Sequence, residues 1–277
     1  MQAARLSEET TSFEVQTCKG AKGNSVSVSP HRGGIVTSIR LVGREILFMN
    51  SETFSDPKKN VRGGIPTLFP FSGPVTDGMR ERFPGLDCQH GFARNIDKWK
   101  FETCADGGLR ETLESDTSTK AIYPFDFRLS ISTELGEDGS VSIVQAVENI
   151  GYETLPVSMG LHPYFSVPSE KRKDLVFDFS GGEIIANDFE KWTNGGTTSI
   201  DNPGTLRVSI PGLGTLVMEI SSEYRYILVW SEGPMEDYIC IEPVMRLDGG
   251  LVDDPASIQP GETLVARVTY RLEPEEA

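Results

Sequence analysis

The chain has 277 residues, of which 38% are hydrophobic and 24% charged, a composition typical of a globular protein with ample core-forming material. Acidic residues outnumber basic ones by 41 to 26, which gives a formal net charge of −15. This charge repels phosphate backbones and anionic lipid headgroups, so we expect neither nucleic acids nor membranes as partners. The sequence begins without an apolar signal segment and has no long apolar run. We therefore expect a cytoplasmic protein.

Short apolar or alternating segments bounded by Gly, Pro, Asn and Asp recur along the chain, and this pattern predicts β-strands. The predicted strands are 13–17, 25–29, 35–41, 45–49, 99–104, 109–115, 125–133, 140–148, 155–161, 175–179, 206–210, 215–220, 225–230, 238–242 and 263–272. No window keeps the spacing of a surface helix. We therefore predict an all-β fold of two large packed sheets or a barrel-like closure, as one domain over residues 1–277. The ends, 1–10 and 273–277, are predicted to be frayed.

One of the three histidines, His162, ends an apolar segment and precedes a proline. A residue before proline is biased toward extended backbone, so a strand is expected to support the imidazole. Alternation along that strand places the small residues Ser158 and Gly160 on the same face as the ring. A face of this kind is typical of a lined cavity. For this segment taken alone, a buried histidine with a satisfied hydrogen bond is the favoured interpretation, because most buried polar residues are simply paired.

Three other stretches carry polar groups on constrained backbone. Arg62 begins the sequence Arg-Gly-Gly-Ile-Pro, in which paired glycines allow close backbone approach and the proline stiffens the loop. His90 and Arg94 frame the sequence His-Gly-Phe-Ala-Arg. Glu242 ends an apolar strand and is followed by Pro243. Because a carboxylate there is costly unless it is paired or lies at a cavity, Glu242 is a candidate site residue.

These motifs, followed by Pro260-Gly-Glu, occur in an order that resembles the aldose 1-epimerase (galactose mutarotase-like) superfamily across nearly the whole chain. The Arg-Gly-Gly-Ile-Pro and His-Gly-Phe-Ala-Arg motifs are most similar to the hexose-6-phosphate 1-epimerase branch. The resemblance implies a large antiparallel β-sandwich, or supersandwich, with a sugar cleft on one concave sheet. It also implies that neither a metal nor an organic cofactor takes part.

The resemblance further implies roles for individual residues. Glu242 matches the family's general base and His162 its general acid. His90 matches a second histidine that holds the sugar near its ring oxygen. Arg62 and Arg94 match arginines that bind sugar hydroxyls or a phosphate. One carboxylate can take the proton from the hydroxyl on C1 while one imidazole protonates the ring oxygen, so these residue types suit ring opening and anomer exchange.

Two features are less well defined. The family's acidic sugar ligand is assigned to Asp188, without a sharp motif to fix it. Leu161 and Pro163 flank the histidine where many galactose-preferring members have other residues, which argues against a galactose preference. We expect a small hexose or hexose 6-phosphate as the substrate, and a monomer or weak homodimer.

Two other functions fit parts of the sequence. A non-catalytic carbohydrate-binding β-sandwich would use aromatic residues such as Trp99, Trp192 and Trp230 to stack on a sugar. A metalloenzyme would use two histidines and a glutamate as ligands. No HxH, HxxxH or HExxH spacing places two of those ligands on one element.

Overall fold

A computed structural model describes residues 13–104 and 107–275. The predicted frayed segment 1–10 and the last two residues lie outside this part of the chain. Glu273, which we expected in a frayed end, is the last residue of a strand and is hydrogen-bonded to Arg207. The chain is therefore still hydrogen-bonded in a strand at Glu273.

Most of the regular structure consists of short and medium strands. The strands are β1 Gln16–Lys19, β2 Ser25–Ser29, β3 Ile35–Leu41, β4 Arg44–Glu45, β5 Thr67–Leu68, β6 Lys100–Thr103, β7 Leu109–Glu114, β8 Phe127–Leu135, β9 Val141–Asn149, β10 Leu155–Val157, β11 Gly160–Leu161, β12 Tyr164–Ser166, β13 Val176–Phe177, β14 Thr198–Asp201, β15 Thr205–Ile210, β16 Gly214–Ile220, β17 Tyr226–Trp230, β18 Tyr238–Val244, β19 Ala256–Ile258 and β20 Thr263–Glu273.

Six short α-helices lie in the connections between strands within residues 13–104 and 107–275. They are α1 Ser51–Ser55, α2 Asp77–Arg82, α3 Thr117–Lys120, α4 Gly182–Asn187, α5 Phe189–Thr193 and α6 Gly250–Asp253. None is longer than six residues, which explains why the helical period does not emerge from the sequence. Within residues 13–104 and 107–275, no helix has the length and apolar character needed to cross a membrane.

Two large sheets dominate the architecture. The larger has eight strands in the order β13-β15-β16-β20-β9-β8-β7-β6, and the second has the order β14-β17-β18-β11-β5, with β12 also pairing to β18. The ladders between these strands are antiparallel. A four-stranded sheet, β1-β2-β3-β4, and the β10-β19 pair complete the fold. The predicted all-β antiparallel fold is confirmed.

Alternating side chains of the eight-stranded sheet form much of the core. In β8 the buried positions include Phe127, Leu129 and Ile131, while the residues between them are more exposed. Strands β11 and β18 are buried along their whole length, as expected for the middle of a sheet that is covered on both faces. The second sheet therefore holds its central strands rigidly, and the candidate site lies on them.

Candidate active site

The register of the second sheet brings His162 and Glu242 together. Gly160 of β11 pairs with Val244 of β18, and Tyr164 of β12 pairs with Cys240. His162 lies midway between Gly160 and Tyr164, and Glu242 lies midway between Cys240 and Val244. The antiparallel register therefore places His162 and Glu242 opposite each other on one face. The imidazole Nε2 lies 3.4 Å from a carboxylate oxygen of Glu242.

A cavity of about 530 Å³ opens over this pair. Its lining continues across the sheet through Ser199 of β14 and Leu228 of β17 to Glu242 of β18, because these three residues are partners in successive ladders. Loops supply the remaining walls. Five of the six residues predicted for the site line this one cavity: Arg62, His90, Arg94, His162 and Glu242. Its volume falls in the range found for small-molecule sites.

His90 is held by strained backbone and by a reciprocal pair of hydrogen bonds. Its φ of 65° lies in the left-handed region, which is uncommon for a residue with a side chain and typical of functional positions. The His90 N–H donates to Gly73 O, and the Gly73 N–H donates to His90 Nδ1, both at 2.9 Å. Burial, with Arg94 and Arg62 nearby, lowers the pKa of His90 to about 3. The neutral ring therefore carries its proton on Nε2, as a hydrogen-bond donor.

The His162–Glu242 pair is buried and poorly solvated, with 5% and 3% of each residue exposed. Burial raises the pKa of Glu242 to about 8, although Arg94 opposes the rise. Burial also lowers the pKa of His162 well below its ordinary value, and His90 and Arg94 reinforce this. Both shifts disfavour separated charges, so near neutral pH the pair holds one proton, mainly on the carboxyl group.

Packing fixes the His162 ring. It stacks on the Tyr164 ring at a centroid distance of 4.7 Å and meets the edge or face of Trp230 at 5.8 Å. The Nδ1 atom of His162 has no hydrogen-bond partner among the described residues. The ring is therefore oriented by its neighbours and not by a second hydrogen bond, which leaves its proton affinity open to change when a polar ligand enters.

The two arginines differ in their partners. Arg62 donates to the carboxylate of Glu232 at 2.7 Å and lies 5.7 Å from the centre of the Trp230 ring. Burial lowers the pKa of Arg62, but the Tyr164 hydroxyl and Glu232 outweigh burial and raise it above its ordinary value. Arg94 donates to the carbonyl of Gln89 at 3.0 Å, and its Nε has no partner among the described residues. Arg94 therefore keeps donors available for a ligand.

Asp188, the sixth predicted site residue, does not line the cavity. It ends α4 and begins α5, and one carboxylate oxygen accepts a hydrogen bond from Thr198 Oγ1 at 2.8 Å and lies 3.4 Å from Lys191 Nζ. Its carboxylate anchors the helices to the start of β14. The structure does not bring Asp188 to the cavity with the other five predicted residues.

Another carboxylate, that of Asp248, lines the cavity instead. It follows β18 in the sequence Arg-Leu-Asp-Gly-Gly, and burial raises its pKa. A methyl group at Gly73 would lie 2.2 Å from an Asp248 oxygen, so the two loops are in close contact there. A polar residue beside paired glycines just after the strand of Glu242 was the available signal for Asp248. Ser199 and Leu228 gave no comparable signal because their place depends on strand register.

The tryptophans and the metal ligands considered in the sequence analysis occupy different places in the structure. Trp99 and Trp192 are buried in the core, whereas Trp230 lines the cavity. The ligand atoms of His162, Cys240 and Glu242 lie within 4.8 Å of one another. This donor set contains a cysteine in place of the second histidine that the metalloenzyme alternative requires.

The fold and the cavity together define a class of protein. A galactose mutarotase related enzyme from Lactobacillus acidophilus superimposes with a TM-score of 0.72 at 18% identity, covering 94% of this chain and 97% of its own. The galactose 1-epimerase from Lactobacillus acidophilus NCFM has a TM-score of 0.68 at 15% identity, covering 96% of this chain and all of its own. The chain has the galactose mutarotase-like fold.

Sequence comparison identifies the family. A sequence model of the aldose 1-epimerase family matches residues 14–203, and the chain belongs to that family. It is similar to a putative glucose-6-phosphate 1-epimerase from Cenchrus ciliaris, with 22% identity over 98% of this chain and 88% of the relative. A putative glucose-6-phosphate 1-epimerase from Escherichia coli K12 is 32% identical over 44% of this chain and 38% of its own length. Family membership implies an isomerase-type enzyme that acts on a small sugar.

Proposed function

We propose that the protein is an aldose 1-epimerase that interconverts the α and β anomers of a hexose or hexose 6-phosphate. The observation that supports this most directly is the contact between His162 Nε2 and Glu242 inside a sugar-sized cavity. Anomer exchange needs one proton acceptor and one proton donor beside the same carbon. A buried imidazole–carboxyl pair that holds a single proton supplies both.

In the proposed mechanism Glu242 is the base and His162 the acid. The Glu242 carboxylate takes the proton from the hydroxyl on C1, while protonated His162 gives a proton to the ring oxygen. The C1–O5 bond breaks as a carbonyl forms at C1, which yields the open-chain aldehyde. After rotation about C1–C2, the ring oxygen attacks the other face of the carbonyl and both protons return. No electrons are gained or lost, and the enzyme ends in its starting state.

The active form of the pair is reached by an internal proton shift. In the free site the proton lies mainly on Glu242, because burial favours two neutral groups. Transfer across the 3.4 Å contact gives the carboxylate and imidazolium that the mechanism needs. Hydroxyl groups of a bound sugar would stabilise this charged form by hydrogen bonding to it. We therefore attribute the catalysed reaction to enzyme molecules in which the His162–Glu242 pair holds one proton.

Three further residues are proposed to position the sugar. His90, with its proton fixed on Nε2 by the Gly73 hydrogen bond, donates to an oxygen close to the ring. The free donors of Arg94 and Arg62 bind hydroxyls or a phosphate. The positive charge of Arg94 also favours the carboxylate form of Glu242.

The direct test is polarimetry with freshly dissolved α-D-glucose, α-D-galactose and the 6-phosphates of both sugars. Acceleration above the spontaneous rate is expected for at least one of them. Glu242→Gln and His162→Asn should each lower the catalysed rate by about 10²- to 10⁴-fold. Glu134→Gln, on the eight-stranded sheet, is the control and should retain activity.

Two outcomes would redirect the interpretation. Sugar binding without acceleration would contradict the proposal and support a carbohydrate-binding protein that uses Trp230. Loss of activity after dialysis against EDTA, with recovery on adding Zn²⁺, would contradict the metal-free mechanism and point to His162, Cys240 and Glu242 as ligands.

A further inference from the structure

Glu232 lies at the edge of the candidate site and takes no part in the proton transfers described above. One of its oxygens accepts from Arg62 at 2.7 Å, and the other is 3.4 Å from the Tyr238 hydroxyl. The Glu232 side chain remains 45% exposed and that of Arg62 34%. Both side chains therefore keep surface that solvent reaches, and Arg62 also lines the cavity.

The loop that carries Glu232 is fixed from below. Arg172, only 2% exposed, donates to Ser231 Oγ at 2.7 Å, to Gly233 O at 3.0 Å and to Pro234 O. The Ser231 N–H also donates to Trp192 O at 2.9 Å. A buried guanidinium that holds the residues on both sides of Glu232 keeps its backbone in place. The backbone of Glu232 is thus fixed beside the site, and its carboxylate is held by Arg62 and by the Tyr238 hydroxyl.

The formal charges around the cavity balance once Glu232 is included. Arg62 and Arg94 contribute two positive charges, while Asp248 in the lining and Glu232 on Arg62 contribute two negative ones. Glu242 is mainly protonated near neutral pH. The charge balance does not weaken the binding of a neutral sugar, because the remaining N–H groups of Arg62 still donate to hydroxyls. A phosphate, with a charge of about −1.5 to −2, finds no net attraction and meets the Glu232 carboxylate beside its arginine.

We propose that Glu232 is a specificity-determining residue that biases the site toward unphosphorylated hexoses by occupying Arg62. The inference rests on the proposed function for its turnover assay, but not for its binding assay. A neutral hexose is bound through hydrogen bonds to its hydroxyl groups, whereas the phosphate of a hexose 6-phosphate is repelled by the Glu232 carboxylate.

The test compares wild-type protein with Glu232→Gln, using D-glucose and D-glucose 6-phosphate. The amide keeps an oxygen that accepts from Arg62 but removes the charge. The ratio of kcat/KM for the 6-phosphate to that for glucose should rise by about threefold to thirtyfold, as expected for removing one charge a few ångströms from a dianion near the surface. The rise should shrink at high ionic strength, since exposed charges are screened.

Glu134→Gln is the matched control. Glu134 forms an ion pair with Arg267 in which both side chains are 43% exposed, on the eight-stranded sheet. An unchanged ratio in Glu232→Gln, or an equal rise in Glu134→Gln, would overturn the inference. A general loosening of Arg62 would lower kcat/KM for both sugars and leave their ratio unaltered.

A binding measurement separates this inference from the proposed function. Titration of both sugars, followed by calorimetry or by the fluorescence of Trp230 in the cavity, gives the same affinity ratio without turnover. If wild-type protein accelerates neither sugar but Glu232→Gln shifts the ratio of affinities, the epimerase proposal fails and the role of Glu232 stands. If the wild type is active and both ratios are unchanged, the role of Glu232 fails alone.

Discussion

The shared proton of the His162–Glu242 pair makes the pH profile the sharpest test of the mechanism. One group must act as an acid while the other acts as a base, so the pair must hold one proton. The loss of this one proton from the pair follows the pKa of Glu242, which burial raises to about 8. Because the protonated pair is the working form, kcat/KM should be level near neutral pH and fall above pH 8. At pH 9 about one molecule in ten keeps the proton, so the rate should drop about tenfold.

The assay is polarimetric mutarotation from pH 5 to 10, with the uncatalysed rate at each pH subtracted. Residual activity of Glu242→Gln, which has no carboxyl group to titrate, should lack the fall above pH 8. A catalysed rate that instead climbs tenfold per pH unit up to pH 8 would show that the deprotonated carboxylate alone limits the reaction. A profile that stays level to pH 10 would refute the raised pKa itself.

Three other predictions follow from the structure. Glu111 is buried with neither oxygen hydrogen-bonded in the described part of the chain, and burial raises its pKa to about 8. The folded state therefore loses stability as pH rises from about 4.5 to 8. In urea unfolding at pH 7, Glu111→Met should raise the free energy of unfolding by about 3 kcal/mol over that of the wild type. The increase should be smaller at pH 5. Gly73→Ala, whose added methyl meets Asp248 at 2.2 Å, should lower kcat/KM by tenfold or so, whereas Gly43→Ala, also at positive φ but with open space around it, should leave kcat/KM unchanged. Asp248→Asn should raise KM, while Asp188→Asn should not, and equal effects on KM would contradict the placement of these carboxylates.

Much of the fold was predictable because strand signals are local. Alternating segments such as 127–135 show one buried face and one exposed face, and the turns between strands are marked by Gly, Pro, Asn and Asp. The short helices and the two-residue strand Thr67–Leu68 were not predicted, because a segment as short as Thr67–Leu68 is defined by its partner across the sheet. Hydrogen bonding to distant residues, and not local preference, decides such elements.

The residues of the candidate site also divide into those that carry a local sequence signal and those that do not. Arg62, His90 and Glu242 carried sequence signals, because glycines, prolines and a strand-end carboxylate mark unusual backbone or unusual burial. Ser199 sits in the lining only because β14 pairs with β17 in one particular register, and no residue near it indicates that register. Asp188 lies apart from the cavity for a related reason: an acidic residue between two helices can point toward a ligand or toward its own helix, and only the folded chain decides.

The central position of β18 also has a consequence for how the protein is made. His162 is synthesised eighty residues before Glu242, and the strands that pair with β18 come from two separate earlier parts of the chain, β11 and β12 on one side and β17 on the other. A nascent polypeptide that has emerged only to residue 203 holds both cavity histidines but lacks β17 and β18. Contacts of such long sequence separation form slowly and late. The cavity is therefore incomplete until β17 and β18 have been synthesised and have paired with the earlier strands.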